Sequence, residues 1–542
     1  MPTCRARSSS SYWPACARRW SSRRGTSKAN GPATTDGRGP ARRHSKAGPP
    51  TASSESGFLG CKVSFADAQA IRERLLADGH REAAADLADT AIVNTCCVTN
   101  EAVAKSRQAA ARAARTARRV YVTGCAANLE GAFAAMPANV VVVPRTGEEA
   151  TAAVAGDVGA IGCVQADHRL ERVRAFVKIQ DGCSFSCHFC VIPLVRGGTR
   201  SCAASAVLAE IRRRVDQGHS EVVLTGVNLG CFRDRAGGYT LPRLVREAGA
   251  VPGLARLRLS SIEINHVTPE LVSALRETPT VSPHLHVPLQ SGDDGVLRAM
   301  GRRYTAAQYL AKLEPLRDFN LTADVIVGFP AEADAAFERT LAVVEKAGLT
   351  KVHVFPYSPR PGTRTAAEDP VPPTVKADRG ARLRALSAEL CRRRWSAKVG
   401  STDLVLVDRP GRGYGDDYTP WLVEAPVGGI VRARATGVAD EGLYREGDHV
   451  ASTDGFVAIR DIAPKAPTHL LVIPERHVAT FRDVAEFPPD EAKRMLEFVA
   501  ETALRAGLED YRVIVNVGPG GGQTIFHLHW HVLGGASLPG FA

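Results

Sequence analysis

Three cysteines within eight residues, Cys183-Ser-Phe-Ser-Cys187-His-Phe-Cys190, follow directly on the apolar run Phe176–Gln180. A strand that runs into a tight loop of this kind brings three thiolates to one point. The fold must therefore build a sheet with that strand end open to a metal. The CxxxCxxC spacing suits three corners of a four-iron, four-sulfur cube and leaves the fourth iron without a protein ligand, free to bind and reduce something; structural clusters normally use four cysteines. Zinc is the competing occupant, but His188 lies between the thiolates and no fourth thiolate follows closely. Thirteen cysteines in 542 residues do not make a disulfide scaffold, and metal-bound thiolates in a reducing cytoplasm suit them better.

A chain of this length exceeds one core, and three or four domains are expected. No run of 18 or more apolar residues occurs, which argues against a membrane span. The formal charge of +12 is concentrated at one end: residues 1–57 hold eleven Lys/Arg against Asp36 and Glu55, a net +9. That segment is rich in Ser, Arg, Gly and Pro, poor in aliphatic residues and without the apolar core of a secretion signal, so a disordered basic tail is expected. It is either an arm that helps hold nucleic acid or a segment without a role.

Four structured blocks are predicted after it, giving a multidomain α/β protein. Residues 58–165 alternate helical patterns with short apolar strands, as in a small α/β domain. Residues 170–390 repeat strand and helix six times, consistent with a partial (β/α)6 barrel whose chemistry lies at the C-terminal strand ends. Residues 393–452 hold short strands separated by Gly and Asp, as in a small β barrel. Residues 453–542 form an α+β unit ending in a histidine cluster.

The CSFSCHFC loop resembles that of the radical S-adenosylmethionine (SAM) superfamily. The resemblance implies that the open iron chelates SAM and that an injected electron cleaves it to a carbon radical. Upstream, Cys61 in GCKVSFADAQ, Cys96 in NTCCVTN and Cys125 in VTGCAAN each lie at or near a strand end. Spacing alone leaves open whether they bind a second cube or are lone buried cysteines. Cys97 adjoins Cys96, but consecutive side chains diverge, so Cys96 is the better ligand. Residues 58–452 resemble the methylthiotransferase family, which implies a cluster domain, a radical SAM core and a C-terminal TRAM domain, with Cys61, Cys96 and Cys125 as second-cluster ligands. NTCCVTNEAVAKSRQ (94–108), LTGVNLG (224–230), HLHVPLQSGDD (284–294) and HVFPYSPRPGT (353–363) resemble the branch that modifies N6-threonylcarbamoyladenosine-37 (t6A37) of tRNA. The implied cofactors are two [4Fe–4S] clusters and SAM. The implied partners are tRNA carrying t6A37, an electron donor such as flavodoxin or ferredoxin, and a sulfur donor. Gly226, Asn228, Glu263 and Gln290, polar positions at strand ends, are candidates to position SAM. Arg196 and Arg200 are candidates for a phosphate or carboxylate. Ser64 and Asp67 depart from the Asn and Glu usual in the family.

RNA would be held by Arg412, Arg432 and Arg434 of the TRAM-like block, with Tyr414, Tyr418 and Trp421 stacking on bases or filling the core. The helix 99–119 adds Lys105, Arg107, Arg112, Arg115, Arg118 and Arg119 beside Cys96. In the last block His527, His529 and His531 alternate with apolar residues and would share one strand face. Metal ligands, structural histidines, or a nucleophile beside the Gly518–Gly522 phosphate cradle are the readings open there. This block resembles the HIT (histidine triad) family. The resemblance implies that His529 attacks the α-phosphorus of a bound nucleotide while His527, His531 and His469 orient it. Asp461 would contact the ribose, with Asn516 and Thr524 on the phosphate side. The alternatives are a chain that is mainly a HIT-type phosphoramidate or adenylate hydrolase, or a non-catalytic RNA-binding Fe–S protein.

Overall fold

The computed structural model describes residues 17–21, 60–83, 88–160, 173–423, 425–439, 442–445, 449–453, 455–461, 464–523, 525 and 527–535. The first unit is a five-stranded sheet of order β2-β1-β3-β4-β5, built from β1 (Ala17–Ser21), β2 (Arg81–Ala83), β3 (Thr90–Thr95), β4 (Arg119–Gly124) and β5 (Val140–Val142). Helices α1 (Lys62–Ala77), α2 (Asn100–Ala114) and α3 (Gly147–Val158) accompany it. β3 is buried at all six positions, as expected of a strand covered on both faces. The expectation of disorder over 1–57 is corrected at Ala17–Ser21, which pairs antiparallel with β3 from Ala17↔Val93 to Trp20↔Thr90. An edge beside β3 would leave a row of backbone groups unpaired, and this strand satisfies them. The other residues of 1–57 lie outside the described residues.

Six parallel strands form the second unit: β6 (Arg174–Lys178), β7 (Glu221–Thr225), β8 (Arg256–Leu259), β9 (His284–His286), β10 (Asn320–Val327) and β11 (Lys351–Pro356). They fall into two ladders, β8-β7-β6 and β9-β10-β11, joined through the bridges Leu257↔Val281 and Ser261↔His286. The expected partial (β/α)6 barrel is present, with its backbone ladder interrupted between β8 and β9. Its core is one continuous cluster in which Val222, Leu224, Leu257, Leu285, Leu321 and Val325 of the strands meet Ile211, Leu244, Leu271 and Phe337 of the covering helices. Helix α4 (Ile192–Arg196) follows the three-cysteine loop directly.

The 26-residue helix α5 (Pro373–Lys398) leads to a closed barrel of order β12-β13-β14-β16-β15: β12 (Thr402–Arg409), β13 (Arg412–Tyr414), β14 (Pro420–Leu422), β15 (Ile430–Ala439) and β16 (Gly442–Arg445). Trp395 of α5 enters the barrel core beside Trp421. The last unit is an antiparallel sheet of order β17-β18-β19-β21-β20, made of β17 (His449–Thr453), β18 (Phe456–Arg460), β19 (Thr468–Pro474), β20 (Tyr511–Ile514) and β21 (Trp530–Gly534). Helix α6 (Pro489–Arg505) packs Met495, Phe498 and Val499 into its core.

Candidate functional site

The Cys183–Cys190 loop is held by backbone geometry. Gly182 has φ +66°, and a Cβ there would collide with the Gly198 carbonyl, so only glycine fits. The Cys183 amide donates to the Gly197 carbonyl at 3.0 Å, and the Cys190 amide to that of Cys187 at 3.2 Å. His188 is fastened at two points: its amide donates to Met300 O at 3.0 Å, and its Nδ1–H to Ala299 O at 2.8 Å. Its Nε2 then accepts from Arg364 Nη1 at 3.1 Å. Both ring nitrogens are spent on the scaffold, which removes the histidine a zinc site would need. Burial raises the Cys187 thiol, and it raises Cys190 to about 11 with the neighbouring thiols adding to the effect. Three convergent thiolates would therefore need a cation among them, and an iron cluster is one that fits.

Beside this loop lie the C-terminal ends of β7 and β8. The Asn228 amide donates to Gln180 Oε1 at 2.8 Å, and Asn228 Nδ2 stands 4.0 Å from Cys183 Sγ. A Cβ on Gly226 would stand 2.9 Å from that same Gln180 oxygen. Glu263 accepts from the amide and side chain of Asn265 at 2.9 and 3.1 Å and belongs to the electrostatic surroundings of Cys187. Gln290 is placed differently. It sits at φ +67° on the other ladder, its amide donating to Asp324 O at 2.8 Å. Four buried polar atoms without partners, Thr225 Oγ1, Asn228 Oδ1, Ser260 Oγ and Arg302 Nε, lie in the strand-end region and the segment that holds His188. An orphaned buried polar group costs about 1–3 kcal/mol, so their concentration fits a polar, zwitterionic ligand such as SAM. Arg302 escaped the sequence reading. It belongs to the surroundings of Cys187 and Cys190, two residues past the Met300 carbonyl that holds His188.

The upstream cysteines converge as well. Parallel pairing of β3 with β4 sets Thr95 opposite Gly124, so Cys96 and Cys125 leave adjacent strand ends together, and Cys61 stands at the start of α1. Cys61 is exposed, whereas Cys96 and Cys125 are buried. Burial, with Cys61 and Cys125 nearby, raises the Cys96 thiol to about 12. Cys97, passed over beside Cys96 as a ligand, is buried next to the same thiols. The neighbouring Cys97 and the Arg196 guanidinium together favour a thiolate at Cys125.

Arg196, a candidate phosphate contact by sequence, is instead 3% exposed. Its Nε donates to Cys125 Sγ at 3.0 Å, Nη1 to Asp181 Oδ1 at 2.9 Å and Nη2 to Asp67 Oδ2 at 2.9 Å. Asp67 also pairs with Lys178. The departure at Asp67 thus carries a cross-domain ion pair. Arg360 adds a second tie by donating to Cys97 O and, at 2.6 Å, to Asn100 Oδ1.

In the last unit the alternation holds: His527, His529 and His531 are half-buried on one face, and Leu528, Trp530 and Val532 are buried on the other. His529 Nδ1–H donates to His527 O at 2.7 Å, which leaves the Nε2 lone pair free for attack. His527 Nε2 donates to Pro474 O at 2.8 Å. The Lys465 amide donates to His469 Nδ1 at 3.1 Å, so His469 Nε2 carries the proton shared toward His531 Nδ1 (2.9 Å) and Asp461 Oδ2 (3.3 Å). The Asn516 side chain meets His531 Nε2 at 3.2 Å. Burial lowers His469, and burial with His529 and His469 nearby lowers His531 to about 4. Thr524 lies outside the described residues.

Of the proposed RNA contacts, Arg107, Arg112, Arg115, Arg118 and Arg119 are exposed on or just beyond α2, and Arg432 and Arg434 are exposed on one face of β15. Trp421 is 1% exposed in the barrel core. Tyr414 and Tyr418 stack on each other at 4.6 Å with Arg174 over both rings, so these aromatics join the barrel to the six-stranded unit. Among the described residues no helix is long and apolar enough to cross a membrane.

Comparison with known proteins divides the chain in three. The Radical SAM superfamily matches residues 177–344, the HIT domain 445–538 and the Uncharacterized protein family UPF0004 56–143. The chain is similar to Threonylcarbamoyladenosine tRNA methylthiotransferase MtaB of Chlamydia pneumoniae, 33% identical over 407 residues, covering 72% of this chain and 96% of that one. The MtaB of Thermotoga maritima is 34% identical over 352 residues, covering 59% of this chain and 78% of that one. Among solved structures, a HIT family hydrolase from Legionella pneumophila is 38% identical and covers 17% of this chain and 84% of that one, with a TM-score of 0.16.

Proposed function

This chain belongs to the MtaB-type threonylcarbamoyladenosine tRNA methylthiotransferases, radical SAM transferases, here with an appended HIT domain, and we propose that it builds a methylthio group onto C2 of t6A37 between two cysteine-held [4Fe–4S] clusters. The observation that supports this reading best is the convergence of two sets of thiols, Cys183/Cys187/Cys190 and Cys61/Cys96/Cys125, on either side of the Arg196 network. When bound, a cluster with SAM supplies the one-electron chemistry that an aromatic C2–H requires, since that bond is a poor acid and a poor target for a sulfur nucleophile. The chain's own residues do the rest. Gly226, Asn228, Glu263 and Gln290, with Arg302, orient SAM. The basic face of α2, which follows Cys96, and the β15 arginines of the barrel hold phosphates. An electron donor such as flavodoxin or ferredoxin, and a sulfur donor, complete the reaction.

We assign 1–57 to a basic tail, 58–165 to the cluster domain, 170–390 to the radical SAM core, 393–452 to the TRAM-like barrel and 453–542 to the HIT domain, with β17 completing the HIT sheet from just before that boundary. The ten described cysteines are free, in keeping with a cytoplasmic location. In the HIT unit, His529 is the nucleophile on a nucleotide held by Asp461, Asn516 and Thr524, with His527, His531 and His469 orienting it.

Anaerobically reconstituted protein is expected to hold about eight irons, and about four after replacement of Cys61, Cys96 and Cys125 by alanine, since each cube holds four. Four irons in the intact protein would sink the two-cluster reading. Nucleoside mass spectrometry of tRNA from a strain lacking the activity and complemented with this gene should show a methylthio gain on t6A. Its absence rejects the substrate. His529→Ala should abolish phosphoramidate hydrolysis and leave that gain untouched.

A further inference from the structure

Of the side-chain networks outside the cysteines themselves, one joins both cysteine sites. Arg196 ends α4, six residues beyond Cys190, and its three guanidinium nitrogens each have a different partner. Nε points at Cys125 Sγ across 71 residues of sequence. Nη1 holds Asp181 Oδ1, which also accepts from the Gly182 amide at 2.8 Å, one residue before Cys183, while Asp181 Oδ2 pairs with Lys178 at 3.2 Å. The next residue, Gly197, offers its carbonyl to the Cys183 amide at 3.0 Å. One short stretch of backbone and one guanidinium therefore fix the Cys183 loop and touch a thiol of the other set. The residue is buried, and each N–H···S bond to a cluster thiolate withdraws charge from sulfur, which is a lever that sets a cluster's potential.

We propose that Arg196 is a positioning residue for the cluster held by Cys61, Cys96 and Cys125, one that hydrogen-bonds the Cys125 ligand, raises the reduction potential of that cluster and fixes its place relative to the Cys183 site. The inference rests on the two-cluster reading. Its physical content is a difference in sign. Removing the Arg196 cation and its hydrogen bond leaves the thiolates more electron-rich, so the cluster becomes harder to reduce. Removing the Asp67 charge takes a nearby anion away and makes the cluster easier to reduce. A residue that merely docks the two domains predicts no such opposition, because both changes break the same ion pair.

The test uses the full chain with Cys183, Cys187 and Cys190 replaced by serine, so that only the N-terminal cluster remains, and reads its midpoint potential by EPR-monitored redox titration. Four irons in this parent establish the cluster; a parent without iron removes the two-cluster reading and the proposal with it. Given a loaded parent, Arg196→Gln should shift the potential negative and Asp67→Asn should shift it positive. Arg196→Lys, which keeps the charge but not the Nε–H···S bond, should fall between Arg196→Gln and the parent. Shifts of the same sign in Arg196→Gln and Asp67→Asn, no shift in Arg196→Gln, or failure of both Arg196 variants to load iron in a loaded parent background would each overturn the proposal and leave Arg196 as a structural clasp.

Discussion

Arg302 shows what a single residue can disclose. Its guanidinium is confined beside Cys187 and Cys190, and its Nε is buried without a partner, an arrangement that is costly unless a ligand completes it. Arg302→Met keeps the aliphatic stem and removes the donors. SAM affinity, followed by equilibrium dialysis on reconstituted protein, should fall about 10- to 100-fold, the equivalent of a charged hydrogen bond of about 1.5–3 kcal/mol. Iron content should stay unchanged, and unaltered affinity would remove Arg302 from the SAM site. His531 carries a pH prediction. Burial holds its folded-state value at about 4, below the ordinary 6.5, so the folded state prefers the neutral ring. The unfolded chain then binds more protons between those two values. The stability this residue contributes is fully present above about pH 6.5 and is lost as pH falls toward about 4, an effect of at most about 3 kcal/mol at ~1.4 kcal/mol per unit. Calorimetry should find the HIT transition falling over that window, with His531→Gln reducing the slope. Neither Arg302 nor the neutral His531 pair was legible in the sequence, because burial and partner geometry decide both.

At the scale of elements, α2 combines two functions that its sequence separates by face. Val103, Ser106, Ala109, Ala110 and Ala113 are buried, and Thr99 caps the helix by accepting from the Ala102 amide at 3.1 Å. Capping fixes where the helix starts, and so how closely its arginines follow Cys96. Replacing Arg107, Arg112 and Arg115 by glutamate should weaken tRNA binding at least tenfold at ~0.1 M salt, with iron content preserved. Replacing Arg432 and Arg434 by alanine should lower the slope of log affinity against log salt by about one to two, since each phosphate contact contributes about 0.7–0.9. Binding that ignored both sets would place the RNA elsewhere. The period of these elements was readable beforehand: the α2 basic face and the HIT alternation both follow from residue spacing. Spacing did not reveal that Tyr414 and Tyr418 are committed to Arg174 of β6, nor that a strand from Ala17–Ser21 pairs with β3.

Across the molecule the first unit, the six-stranded core and the barrel are joined by buried charge. Glu221 at the start of β7 accepts from Arg258 Nε at 2.7 Å and Arg256 Nη1 at 3.1 Å. The same two arginines reach the barrel, where Arg258 Nη2 meets Gly415 O at 2.8 Å and Arg256 Nη1 meets Tyr414 O at 3.2 Å. Glu221→Gln strips a buried counter-charge from two guanidiniums and should cost about 3–5 kcal/mol. Thermal unfolding should show the core and barrel transition lowered while the HIT transition stays in place; an unmoved core transition would refute the role given to Glu221. Local spacing alone was enough to establish the CxxxCxxC loop, the six strand-helix repeats and the HIT face, because three thiolates within eight residues or histidines at every second position are constrained by the backbone between them. It could not establish that Arg196 serves a thiol 71 residues away, that Arg360 reaches from the six-stranded unit to the Cys97 carbonyl, or that the barrel's aromatics face a neighbouring domain. Those partners are far apart along the chain, and packing alone brings them within hydrogen-bond reach and removes the water that would otherwise satisfy them.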